Sequence, residues 1–254
     1  KTITISKSLY VPRFDDEFNS SLVVDSWYKK SLWLYLLYPF ALAVSYFTGR
    51  KRRKFLKNSL KKYKSEVPII IVGNLTIGGT GKTPLVKYIA TELIKLGYKP
   101  GIVSRGYGGK FKETLRVTNE TPVKQTGDEA QILSTLNIPF YIDKNRVRAL
   151  KTLNDNHDCD VIISDDGLQH YNMNRDVEIV VIDGKRRFGN NLSFPAGPLR
   201  ESLKRLDSVD FIVNNSGPTE DGEHLMNVSP AKFIHLKSGK SYSVEDWPMH
   251  KQVH

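Results

Sequence analysis

Three observations predict an α/β fold with a doubly wound, mostly parallel sheet. From residue 67 onward, short β-branched runs alternate with segments of helical periodicity. One run, Ile69-Ile70-Ile71-Val72, passes through Gly73 into a glycine-rich turn that ends Gly81-Lys82-Thr83. Another, Val161-Ile162-Ile163-Ser164, ends in the adjacent acids Asp165-Asp166. Strand, glycine-rich loop and helix start in that order make a phosphate loop, so the sheet is expected to be P-loop NTPase-like.

At 254 residues the chain can bury a full α/β core and still carry an appended element. Residues 1–23 mix charge, proline and serine without an apolar core, which is not the pattern of a signal peptide. Residues 24–66 read as a membrane-associated segment. Within it, residues 32–47 are sixteen uncharged and mostly apolar positions, bounded by Lys29-Lys30 and by a basic run. As a helix they would span roughly 24 Å, short of a hydrocarbon core of about 30 Å, and Pro39 is expected to interrupt them. The segment should therefore lie in the interface or dip into one leaflet, at a depth that suits Trp27, Trp33, Tyr35, Tyr38 and Tyr46. A buried helix hairpin with a solvated basic face is the alternative.

The charge is local. Lys and Arg exceed Asp and Glu by 11, and nine basic residues fall within residues 50–64, where no acid occurs. Each can add about 1 kcal/mol of attraction to an anionic leaflet. Nucleic acid is not the expected partner, because the aromatics lie on the apolar side and not among the basic residues. Cys159 is the single cysteine, which rules out an internal disulfide and fits a reducing compartment.

The domain proper runs from residue 67 to 254. In its phosphate loop Gly78, Gly79 and Gly81 let the backbone close on an anion, so that N–H groups and the positive end of the next helix converge. Lys82 would reach the β- and γ-phosphates of ATP and Thr83 would bind Mg²⁺. Thr76 stands where the usual pattern has glycine. Leu85, Val86, Ile89, Ala90, Leu93 and Ile94 then repeat at helical spacing until Gly97, with Pro84 in the first turn.

A strand at residues 101–104 leads into the loop Arg105-Gly106-Tyr107-Gly108-Gly109, at the sheet edge where open parallel sheets bind ligands. Gly127-Asp128-Glu129 opens another periodic segment; its acids are either helix-capping or functional. Residues 139–142 read as a strand, Asp143 as an N-cap, and the following helix carries Arg146 and Arg148. Asp165 and Asp166 end a strand where Mg²⁺ must be held opposite Thr83. His170 alone reads as a structural histidine. Strands at residues 178–182 and 210–213 enclose a long basic loop, and its length and lack of periodicity favour binding.

At this point the chain resembles the tetraacyldisaccharide 4′-kinases of lipid A biosynthesis. The resemblance rests on VGNLTIGGTGKTP (72–84), SRGYGG (104–109), GDEAQIL (127–133), DDGLQH (165–170) and VVIDGKRRFGNNLSFPAGPLRE (180–201). Thr76 is the family's own form of the loop, whereas residues 1–23 have no recognised counterpart. The resemblance implies a peripheral enzyme of the cytoplasmic face of the inner membrane that moves the γ-phosphoryl of ATP to the 4′-hydroxyl of a tetraacylated glucosamine disaccharide 1-phosphate.

By motif, it implies that Thr76, Gly78, Gly79, Thr80, Gly81, Lys82 and Thr83 hold ATP, and that Thr83, Asp165 and Asp166 hold Mg²⁺. Asp128 becomes the candidate base, with Arg105, Glu129, Arg146, Gln169, Arg200 and Glu201 on the acceptor side. Family members continue past a segment like residues 251–254 into a region whose histidine pairs with the catalytic aspartate. The C-terminal part of the family fold is therefore expected to be absent from this chain. A membrane-bound ATPase switch of the partitioning or site-selection type is the alternative, but Ile77 occupies the position of its signature lysine.

Overall fold

The computed structural model describes residues 3–8, 20–29, 31–57, 63–234 and 241–243. Part of the basic run at residues 50–64 and the whole of residues 251–254 lie outside the described residues. In chain order the elements are β1 (Ile3–Ser8), α1 (Ser20–Tyr28), a 3₁₀ helix (Leu32–Leu37), α2 (Tyr38–Lys57), β2 (Ile69–Gly73), α3 (Lys82–Lys95), β3 (Pro100–Ser104), β4 (Leu115–Arg116), α4 (Val123–Thr126) and α5 (Asp128–Ser134). Then follow β5 (Phe140–Ile142), α6 (Arg146–Asn156), β6 (Val161–Asp165), β7 (Val177–Asp183), a 3₁₀ helix (Leu203–Ser208), β8 (Phe211–Asn215), β9 (Glu223–Ile234) and β10 (Ser241–Ser243).

The strands form one sheet in the order β1-β9-β8-β7-β2-β6-β3-β5-β4, with β10 on β9. All described pairings are parallel except those of β4 and β10. Parallel strands must be covered on both faces, which is why β2, β3 and β6 are nearly continuous apolar runs. On one face Val72, Ile102 and Ile163 pack with Leu85, Val86 and Ala90 of α3 and Leu133 of α5. On the other, Ile69, Ile71, Val103 and Ile162 pack with Leu150 and Leu153 of α6. The phosphate-loop strand β2 lies at the centre between β6 and β7. That placement brings the carboxyl ends of β2, β3 and β6 to one edge.

Three local expectations are corrected. Asp143 is not the N-cap of α6. Asn145 is, accepting from the N–H groups of Val147 (3.1 Å) and Arg148 (3.4 Å), while Asp143 accepts from Asn145 N at 2.7 Å and pairs with Arg148. Asn145→Ala should lower stability by about 1 kcal/mol, read as a shift of the denaturant midpoint with unchanged m-value. Trp27 does not face a membrane: it is 4% exposed, donates from Nε1 to the Pro195 carbonyl at 3.1 Å and meets Phe194 edge-on, so that α1 pins the long loop after β7.

Pro39 does not break its segment but marks a change of helix type, the 3₁₀ helix ending at Leu37 and α2 opening at Tyr38. It sits in the first turn of α2, where a missing N–H costs no hydrogen bond, and α2 continues through the basic residues to Lys57. Leu32, Tyr35, Leu36, Phe40, Leu42 and Phe47 along this stretch are exposed. The basic half of α2 is seated on the domain. Arg52 donates to Ser208 Oγ at 2.7 Å, and Phe55 stacks on Tyr171 at 6.0 Å between ring centroids.

Candidate active site

The phosphate loop is shaped by what its carbonyls bind. Those of Gly78, Gly79 and Thr80 accept in turn from the side chains of Asn74 (3.2 Å), Arg186 and Asn215 (3.1 Å). Ile77 N donates to the Pro198 carbonyl at 2.8 Å, and Arg200 N to the Leu75 carbonyl at 2.7 Å. With those oxygens held, the N–H groups of residues 78–81 have no acceptor among the described residues and remain for an anion. Gly81, at φ +91°, ends the loop and leaves α3 without a side-chain cap. Any Cβ there would also lie 2.5 Å from Asn215 Nδ2, so the position excludes other residues twice over.

Lys82 is 9% exposed at the foot of α3, with Nζ 3.5 Å from Asp166. Arg200 reaches the same carboxylate at 3.0 Å. Burial opposes ionisation of Asp166, but Lys82, Arg200 and Arg146 outweigh it and hold the carboxyl below its ordinary pKa. Asp165, 1% exposed, is in the opposite condition. One oxygen accepts from Ser104 Oγ at 3.3 Å and the other has no partner among the described residues. Burial pushes its pKa up to about 6, with Lys82 opposing and Glu129 and Asp166 adding to the rise.

A buried carboxylate with an unpartnered oxygen suits a cation, and the buried Thr83 hydroxyl begins the facing helix. No group of three or more acidic, histidine or cysteine side chains among the described residues could hold a metal by itself. A divalent ion here would have to share phosphate oxygens, which is how Mg²⁺ is ordinarily bound at such sites.

The remaining candidates fall in two layers. Asp128 and Glu129 are exposed in the first turn of α5, and no described residue pairs with Asp128. Arg105 is exposed beyond β3. Behind them, Arg146 is 2% exposed and donates to the carbonyls of Asp143, Asp165 and Asp166 at 3.1–3.3 Å. Burial lowers its pKa to about 10, opposed by Asp165 and Asp166. Gln169 braces the loop by donating to the Asn74 carbonyl at 3.0 Å.

Glu201 is buried, accepts from Tyr171 OH at 2.6 Å and lies 3.9 Å from Arg205. Arg146 and Glu201 are thus buried beneath the site, and Gln169 is half-buried beside the phosphate loop. Burial, then Arg146 and other cations, lower the His170 pKa to about 4, which keeps it neutral.

Sequence reading missed Asn74, Asn215, Arg186 and Ser104. Each touches the loop or its acids from the end of a strand, or from just beyond it. A polar residue closing an apolar run beside the phosphate loop is the signal that could have found them.

The family profile described as "Tetraacyldisaccharide-1-P 4'-kinase" matches residues 33–251. A tetraacyldisaccharide 4'-kinase of Psychromonas ingrahamii is 49% identical over 193 residues, covering 75% of this chain and 60% of that protein. One from Vibrio parahaemolyticus is 42% identical over 231 residues, covering 89% and 69%. This chain thus spans 60% and 69% of the length of these two relatives. A crystal structure of LpxK from Aquifex aeolicus in complex with ATP superimposes with a TM-score of 0.67 at 29% identity, over 77% of this chain and 64% of that one. With matching sequence, sheet and phosphate loop, the chain belongs to the tetraacyldisaccharide-1-P 4'-kinase family.

Proposed function

We propose that this protein transfers the γ-phosphoryl group of ATP to the 4′-hydroxyl of a tetraacylated glucosamine disaccharide 1-phosphate. The observation that carries the reading is the buried Lys82 at the uncapped start of α3, facing Asp165 and Asp166, in a chain of this family. The loop N–H groups and Lys82 would take the β- and γ-phosphates, and Arg200 would add charge beside Asp166. Asp165 and Thr83 would hold Mg²⁺, which when bound neutralises charge on the phosphate oxygens.

Asp128, exposed and unpaired, would orient the incoming hydroxyl and accept its proton as the new O–P bond forms and the bond to the β-γ bridging oxygen breaks, releasing ADP. Incubation with labelled ATP, Mg²⁺ and the glycolipid should give a bis-phosphorylated product. ATP hydrolysis stimulated by a protein partner, with no labelled lipid, would instead favour the ATPase-switch reading.

The same reading places the protein on the cytoplasmic face of the inner membrane. The exposed apolar side chains from Leu32 to Phe47 supply an anchor, and the basic half of α2 supplies attraction to anionic lipid. Binding to vesicles should require anionic lipid, weaken as salt rises and weaken further on charge reversal at Arg50, Arg53 and Lys54. Binding in a flotation assay that ignores salt would mean that the basic residues do not contribute.

A further inference from the structure

The middle carbonyl of the phosphate loop is held differently from its neighbours. Asn74 and Asn215, which hold the carbonyls of Gly78 and Thr80, are neutral amides just beyond β2 and at the end of β8. The Gly79 carbonyl instead accepts from Nη2 of Arg186, a cation whose side chain is 41% exposed in the loop after β7. An exposed arginine ordinarily keeps its rotamer freedom. This one is fixed. Its Nε donates to Asp183 at 2.7 Å, and the other Asp183 oxygen accepts from the N–H groups of Lys185 and Arg186 at 3.0 and 2.9 Å. The guanidinium lies over the Tyr28 ring of α1, 5.9 Å from its centroid. Gly189 lets α1 come this close, since a Cβ there would stand 3.1 Å from Tyr28 Cε1 and 2.8 Å from the Trp27 carbonyl oxygen.

In a planar trans peptide the carbonyl and the following N–H point in opposite directions. A donor on the Gly79 carbonyl therefore aims the Thr80 N–H away from Arg186, and that N–H has no acceptor among the described residues. Gly78 and Gly79 in succession, the first at φ +104°, give this stretch little rotational resistance of its own. Without a brace the peptide unit can turn over and present an oxygen to the phosphates.

We propose that Arg186 is a positioning residue for the phosphate loop, and that Asp183 and Tyr28 of α1 act through it on nucleotide affinity. The inference rests on the reading of residues 76–83 as an ATP site. It extends that site to a helix that precedes the whole domain in sequence.

Calorimetric titration with Mg·ATP tests this without requiring turnover. Arg186→Ala should weaken binding roughly tenfold, about the loss of one hydrogen bond to a charged group. Tyr28→Ala should weaken it roughly threefold, and Tyr28→Phe, which keeps the ring, should leave it unchanged. Asp183→Asn is the discriminating variant. It keeps an oxygen for the two backbone N–H groups and removes a negative charge near the anion, so charge alone would tighten binding, whereas loss of the anchor weakens it. The losses in Asp183→Asn and Arg186→Ala should also be non-additive in the double variant.

Unchanged affinity in Arg186→Ala overturns the proposal. Tighter binding in Asp183→Asn overturns it in favour of direct action of the guanidinium charge on the phosphates, and additive losses overturn the shared route. Should Arg186→Ala fail to fold, Asp183→Asn decides alone. A wild type that binds Mg·ATP but phosphorylates no glycolipid refutes the kinase reading and leaves this proposal standing, and one that binds no Mg·ATP refutes both.

Discussion

Lys82→Ala is expected to reduce phosphoryl transfer by roughly 10³-fold or more, since removing even one preorganised charge-stabilising donor commonly costs 10²–10³-fold in kcat. On the proposed reading the ammonium, 9% exposed, would neutralise charge that develops on the transferring group, and partial burial strengthens that interaction. The fold should survive, because Asp166 keeps Arg200 at 3.0 Å and is not left as a lone buried anion. Transfer assays paired with thermal denaturation separate these effects. Wild-type turnover in a folded Lys82→Ala protein would remove the nucleotide site from this loop.

Asp128→Asn should lower kcat by roughly 10²–10⁴-fold, the range of general-base contributions, with little change in affinity for Mg·ATP. The other two acids cannot take the part. Asp166 is committed to Lys82 and Arg200, and Asp165 is buried behind Ser104. Asp128 is exposed with no described partner, so the substitution deletes a proton acceptor without opening a charge network. Calorimetric titration with ATP and a single-turnover measurement together decide the matter. A loss of nucleotide affinity with kcat preserved would make Asp128 part of the metal site or a helix cap.

The central strands were legible because burial on both faces forces unbroken apolar runs, as at Ile69–Gly73 and Val161–Asp165. The site was legible where one residue type has few structural uses, as at Lys82 and the paired acids. The edges were not. β9 mixes His224, Asn227 and Pro230 with its apolar residues, and β1 pairs with it only across more than two hundred residues of sequence. Local periodicity holds no trace of such a partner.

The N-cap was misread because Asp143 and Asn145 are both good capping residues two positions apart, and the choice fell to Arg148 and Thr114, which hold Asp143 elsewhere. Trp27 was misread because an amphipathic aromatic suits a lipid interface and a protein groove equally well. The loop braces Asn74 and Asn215 were missed for a different reason: they act through carbonyls, and sequence spacing does not show which carbonyl a side chain will meet.

The Phe55–Tyr171 stack and the Arg52–Ser208 bond bear on how the molecule would land on a surface. A greasy helix on a slack tether leaves the catalytic edge free to tumble, so most arrivals face the wrong way. Here the lower half of α2 is clamped to Tyr171, five residues past Asp166, and to the 3₁₀ helix that follows Arg200. Whatever plane receives the upper half of α2 also sets the tilt of the cleft. The enzyme would then have no rotational search to complete after touching down, and every encounter would present the same opening at the same height above the lipid.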